Sequence, residues 1–155
     1  EHPGDAAARE DMALVSLFGG LVLANAKLGA VHGFAGPFGG MFDAPHGGIC
    51  ARLLPFVMDM NVRALRQRQP DSDYLARYAA VAALLTGDSR ASAEDGVNWV
   101  YRLTQTLHIP GLTSYGMTEA DLPAIIEKSA VASSMQGNPI KLTNDEMREI
   151  LTAAA

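Results

Sequence analysis

The chain has 155 residues, 48% of them apolar and 6% aromatic, and a formal net charge of -5. That is enough chain for one domain with its own core. With Arg63, Arg66 and Arg68 as its one short basic knot, the sequence argues against a nucleic-acid surface, which needs more clustered positive charge.

Alanine and leucine dominate and β-branched residues are sparse, which favours helix over sheet. The first helix is expected to begin near Asp5 or Ala6 and to run to about Gly29. Leu14, Leu17, Phe18, Leu21 and Leu28 recur at helical spacing, and Val15, Val22 and Leu23 fill other faces. This pattern predicts a helix buried nearly all round. Its apolar run, Met12 to Ala24, is too short to span a bilayer, so no membrane partner is expected. A second helix is predicted over 31–41, with Pro37 kinking it or ending it early. A third is expected from Pro45-His46 to about Asp59, interrupted at Pro55, then a short polar helix from Asn61 to Gln69 closed by Pro70. Asp71 or Ser72 caps the next, with Tyr74, Tyr78, Val81 and Leu85 on one face and Thr86-Gly87 at its end. Ser92 with Asp95, Thr118 with Asp121, and Thr143 with Glu146 read as capping boxes for three further helices. Gly137-Asn138-Pro139 is a firm break. No period-2 strand of useful length appears. The fold class predicted is an all-α bundle of about seven helices in a single domain, 1–155.

Chemistry concentrates in residues 24–61, where His32 and His46 each sit among glycines. On one straight helix their fourteen-residue separation would span roughly 21 Å, too far to share an ion. Pro37, Gly39, Gly40 and Pro45 imply a turn that could bring them together. Neutral imidazole is a common ligand of zinc or iron, but two ligands make an incomplete site. The plainer alternative is one core histidine and one that caps a helix. Gly33, Gly36 and Gly39 suit close helix packing. A phosphate cradle would need a preceding strand, and here an apolar helix precedes. Asp43 reads as a loop-capping residue with a lesser claim to orient or ligate beside His46. Arg52 and Asp59 are expected at the surface, with His2 and His108. Cys50 reads as a small core residue. As the sole cysteine it has no internal disulfide partner, which fits a reducing compartment, and a cytoplasmic location is expected.

Several of these residues form an ordered pattern. They are Ala24-Asn25-Ala26-Lys27-Leu28-Gly29-Ala30-Val31-His32-Gly33, then Pro37, then Pro45-His46-Gly47, then Leu53-Leu54-Pro55 and Asn61. Ser133-Ser134-Met135-Gln136-Gly137-Asn138-Pro139 follows before the last helix. The pattern resembles the C-terminal helical domain of the iron-containing (group III) alcohol dehydrogenases, over essentially the whole chain. The resemblance implies a parent protein in which an N-terminal domain binds NAD(P) and the helical domain holds a divalent metal, iron or zinc, in the cleft between them. In the family pattern an aspartate and a histidine on one helix, then two downstream histidines, bind the metal. His32 and His46 match the downstream pair, and Leu28 is a candidate for lining the alcohol pocket.

The resemblance further implies a small-molecule alcohol or aldehyde substrate, and it allows a homo-oligomer. Three departures qualify it. The chain begins at Glu1, beyond the helix that would carry the aspartate and first histidine. No nucleotide-binding domain is present. Gly36 stands where the family often has a further histidine near the nicotinamide. The isolated chain is therefore expected to be inactive and to hold metal weakly or not at all. A metal-independent reductase of the maleylacetate reductase kind, and a non-catalytic helical module with structural histidines, are the alternatives.

Overall fold

Among the described residues, proline, glycine and short polar breaks mark off seven α-helices joined by turns and three short 3-10 segments. In the computed structural model, residues 4–155 are described, and His2 lies outside them. The helices are α1 (Ala6–Asn25), α2 (Ala30–Met41), α3 (His46–Arg68), α4 (Asp73–Thr86), α5 (Ala93–Thr106), α6 (Leu122–Ala130) and α7 (Asn144–Ala153). Among the described residues there is no strand. All three capping boxes form: Ser92 with Asp95, Thr118 with Asp121, and Thr143 with Glu146 each bond side chain to backbone reciprocally. The second opens a 3-10 turn, Glu119–Asp121, that runs on into α6. Ser72 caps α4, and Gly87, at a φ of 74°, closes it in the left-handed conformation that glycine adopts at little cost.

Helices α2 and α3 form the centre. Phe34 and Phe38 of α2 pack with Ile49, Leu53 and Leu65 of α3, all fully buried. Leu112, Ile125, Ile150 and Leu151 complete this core from the loop after α5 and from α6 and α7. Both internal prolines are tolerated within continuous helices. Helix α2 passes through Pro37 to Met41, and α3 passes through Pro55 to Arg68 as one element of 23 residues rather than two. An internal proline costs about 3 kcal/mol. Full burial of one large aliphatic side chain contributes about 1.5–3 kcal/mol. Leu53, Val57, Met60, Val62 and Leu65 flank Pro55 and are all buried, so packing outweighs the missing hydrogen bond.

Helix α1 departs most from expectation. It is a regular 20-residue helix capped by Asp5, but none of its residues is buried. Leu14, Val15, Leu17, Phe18, Leu21 and Leu23 are each roughly half exposed. Periodicity reports how apolar a helix is, while burial needs a neighbour, and no described helix lies along α1. A 96° bend separates its axis from α2, and no single described helix is long and apolar enough to cross a membrane. The α4 stripe is also less buried than its pattern suggests. Tyr74 and Val81 are exposed, and contact with α5 is made instead at Ala82, against which Gly96 packs closely enough to exclude a β-carbon. The basic knot is neutralised locally: Arg63 pairs with Asp59 and Glu149, Arg66 with Glu94, and Arg68 with Glu146. Arg52 is half-buried, donating from Nε and Nη2 to the carbonyls of Ala154 and Ala155 at 2.9 and 3.0 Å. His108 is exposed, at a φ of 51°.

A pair of side-chain amides ties these elements together. Asn138 donates to Asn61 Oδ1 at 2.7 Å and to the Ile140 carbonyl at 2.8 Å. Its own Oδ1 accepts from Asn61 Nδ2 and from the backbone N–H of Ala30, both at 3.1 Å. Asn61 also donates to the Tyr78 hydroxyl at 3.1 Å. The backbone beside this hub is equally tight. A β-carbon at Gly137 would collide with the Leu28 carbonyl, and one at Gly33 would lie 3.1 Å from the Met135 backbone. Of the three regularly spaced glycines, only Gly33 makes such a close approach. Gly36 faces open space, and Gly39 has only an ordinary contact with Ile49.

Asn61 is 2% exposed, so its truncation strands buried partners on Asn138 and Tyr78. Asn61→Ala is expected to destabilise the protein by about 1–3 kcal/mol. Urea denaturation should show a lower midpoint with an unchanged slope.

Candidate metal centre

His32 lies in the first turn of α2, and His46 is the first residue of α3. Residues 42–45 join the two helices. Phe42 caps α2 through its N–H to the Phe38 carbonyl, and the Phe38 and Phe42 rings stack at 4.6 Å. Pro45, at the N-cap of α3, has extended backbone that starts the next helix without needing an N–H. This break folds α3 back across α2. The two imidazoles then face each other with ring centroids 5.5 Å apart and planes tilted by 49°. Cys50, one turn beyond His46 on α3, joins them. Its Sγ lies 3.5 Å from His46 Nε2, and one ligand atom from each of His32, His46 and Cys50 falls within 4.8 Å of the others. His46 is exposed, and the other two are half-buried.

Burial holds the His32 pKa below its ordinary 6.5, and the neighbouring His46 lowers it further. Burial also pushes the Cys50 thiol up. His32 therefore favours the neutral, ligating form at neutral pH. The three donors are of the kinds that bind zinc and related divalent transition metals. In kind they fit such an ion; in number they leave at least one position for another ligand. Asp43 is exposed in the connecting loop and stands outside the cluster.

A cleft of about 500 Å³ opens beside the cluster, lined by Leu28, His32, Cys50, Leu54, Asn61 and Tyr78 among others. A smaller hollow of about 230 Å³ adjoins it, where Val22 and Leu23 of α1 meet Leu28 and His32. Leu28 and His32 border both. The cluster member that sequence reasoning passes over is Cys50. Its signal is the four-residue step from His46, which places both side chains on one face of a helix.

The Fe-containing alcohol dehydrogenase family, C-terminal, matches this chain over residues 1–155. The chain belongs to that family. It is 35% identical over 149 residues to the 1,3-propanediol dehydrogenase of Citrobacter freundii, an alignment covering 95% of this chain and 37% of that protein. To the NADPH-dependent butanol dehydrogenase of Clostridium saccharobutylicum it is 32% identical over 157 residues, covering 96% and 38%. Its fold superposes on the solved alcohol dehydrogenase from Oenococcus oeni with a TM-score of 0.73 at 30% identity, over 88% of this chain and 35% of that one. The chain thus spans well under half the length of the relatives it matches.

The ring-to-ring contact has a pH signature in the metal-free protein. Below about pH 6.5 the unfolded chain binds a proton on His32 more readily than the folded one. The contribution of this group to stability therefore falls as pH drops from 6.5 toward the lower folded value. NMR titration should show the His32 imidazole protonating below 6.5. His46→Gln should raise that value part of the way, because burial, the larger cause, remains. A His32 titration indifferent to His46→Gln would mean that the rings are not neighbours.

Proposed function

We propose that this chain is the metal-binding, C-terminal helical half of an NAD(P)-dependent alcohol dehydrogenase-like oxidoreductase that interconverts an alcohol and a carbonyl. The observation that carries this reading is the approach of His32 to His46 across the α2–α3 break, beside an apolar cleft, in a member of this family. Its similarity to a propanediol dehydrogenase and an NADPH-dependent butanol dehydrogenase supports small alcohols as substrates and a nicotinamide cofactor. His32 and His46 would hold a divalent metal, iron or zinc. When bound, the metal polarises the substrate oxygen and the nicotinamide accepts or delivers hydride.

The chain's own residues have separable tasks in this reading. The two imidazoles fix the position of the ion, because each is anchored on a rigid helix. Leu28, at the rim shared by the cleft and the adjoining hollow, presents an apolar wall to the carbon chain of the alcohol. Gly36, one turn after His32, offers no side chain for proton transfer, and a β-carbon there would meet open space. The remaining ligands and the nucleotide-binding domain belong to a longer protein. The exposed apolar surface of α1 supports this, since a helix with so many half-exposed large side chains calls for a covering partner.

Two measurements test the reading. The isolated chain should give no alcohol-dependent reduction of NAD or NADP, because hydride transfer needs the cofactor held against the substrate. In the full-length protein, His32→Ala or His46→Ala should lower metal content and turnover together, by about 10-fold or more. A His46→Ala protein with full metal and full activity would overturn the ligand assignment, and full activity in a protein that binds no metal would move it to the metal-independent reductase.

A further inference from the structure

His46 and Cys50 stand four residues apart on α3 and so project from the same face one turn apart. Their side chains converge on His32 from the neighbouring helix, with His46 Nε2 to Cys50 Sγ at 3.5 Å and all three ligand atoms within 4.8 Å. Metal–nitrogen bonds near 2.05 Å and metal–sulfur bonds near 2.3 Å, set at a tetrahedral angle, give an N···S edge of about 3.6 Å. The His46–Cys50 pair already has that spacing. A thiol–imidazole hydrogen bond would satisfy the same distance, but it would need no second imidazole. The His32 ring supplies a third corner on a different element.

Charge argues in the same direction. Two neutral imidazoles leave both positive charges of a divalent ion uncompensated. Asp43, the nearby carboxylate in sequence, is exposed and outside the cluster. Cys50 is the one group in the cluster that can become an anion. As the only cysteine in the chain, it has no disulfide to make within it.

We propose that Cys50 is a metal ligand, so that this chain alone presents a three-donor site, His32–His46–Cys50, selective for zinc or cobalt over iron. The proposal rests on the metal reading of the two histidines given above. On binding, the Cys50 S–H bond breaks, its proton passes to solvent, and a sulfur–metal bond forms, with no electron transferred. The thiolate is a soft donor, and it tilts the choice toward zinc-like ions. In this chain alone, three donors leave one corner of a tetrahedral site open to solvent. The chain is then expected to hold metal by itself, against the expectation from two imidazoles alone.

Cobalt(II) chloride titrated into the metal-free chain under reducing, oxygen-free conditions tests this. The expected result is one equivalent bound, with visible d–d bands and an intense thiolate-to-cobalt charge-transfer band in the near ultraviolet. Cys50→Ser should abolish the charge-transfer band and weaken cobalt binding by about 10-fold or more, with unchanged circular dichroism. Zinc should also slow alkylation of the thiol by iodoacetamide in the native chain and not in His46→Ala. Visible bands that vanish in His46→Ala but come without a charge-transfer band would overturn the role of Cys50 and leave the histidine reading standing. A native chain that takes up no cobalt would also overturn it. The histidine reading would then be decided separately, by the metal content of the full-length His46→Ala protein.

Discussion

The side chain of Asn138 is the point on which the geometry turns. Its amide makes four hydrogen bonds, and together they reach three parts of the structure. One satisfies the Ala30 N–H in the first turn of α2, where Gly29 at the N-cap has no side chain to offer. Two form the reciprocal pair with Asn61 on α3, and the fourth steadies its own loop at Ile140. A helix N-terminus without a capping side chain leaves several N–H groups wanting partners. Here the cap is supplied from 108 residues away. The same group that completes α2 therefore also fixes it against α3. His32 sits two residues past the capped N–H, and His46 opens α3. Their approach is a consequence of how the two helices are locked, and neither ring needs a packing role of its own.

That arrangement explains why a glycine-dense segment persists in the middle of the core. Gly137 and Gly33 let the Asn138 loop lie directly on the chain at Leu28 and on α2, and any larger residue would push the loop away. Pro37 and Pro55 sit inside the two site helices because Phe34, Phe38, Leu53 and Val57 clamp the helices on either side. The half of the structure near α1 is the reverse. A long apolar helix is built and capped, yet none of its residues is buried among the described residues.

Much of the fold is legible in the sequence because local rules decide it. Ser92, Thr118 and Thr143 cap as their spacing to Asp95, Asp121 and Glu146 predicts, and Gly87 ends α4. The failures are long-range. Hydropathy shows that α1 is apolar and cannot show that nothing described covers it. Proline statistics break α3 at Pro55 because they do not see the buried neighbours that hold it. Tyr74 and Val81 share a stripe with Tyr78, but the α4–α5 contact settles at Ala82 and Gly96, where backbones come closest. For the site, spacing leaves the meeting of His32 and His46 open, and the turn residues Gly39, Gly40 and Pro45 only make it feasible. Cys50 reads as core until a second helix places His32 opposite it. Asn138 reads as a chain break, and its partner Asn61 lies 77 positions away.

The central claim is that the asparagine lock sets the histidine pair. The most direct test is the nuclear Overhauser contact between the ring protons of His32 and His46 in the metal-free chain. It should be measured in the native protein and in Asn138→Ala, at a temperature where circular dichroism shows both folded. The account predicts a clear contact in the native chain and its loss or marked weakening in the variant. No contact in the native chain, or an equal contact in a folded Asn138→Ala, would contradict it.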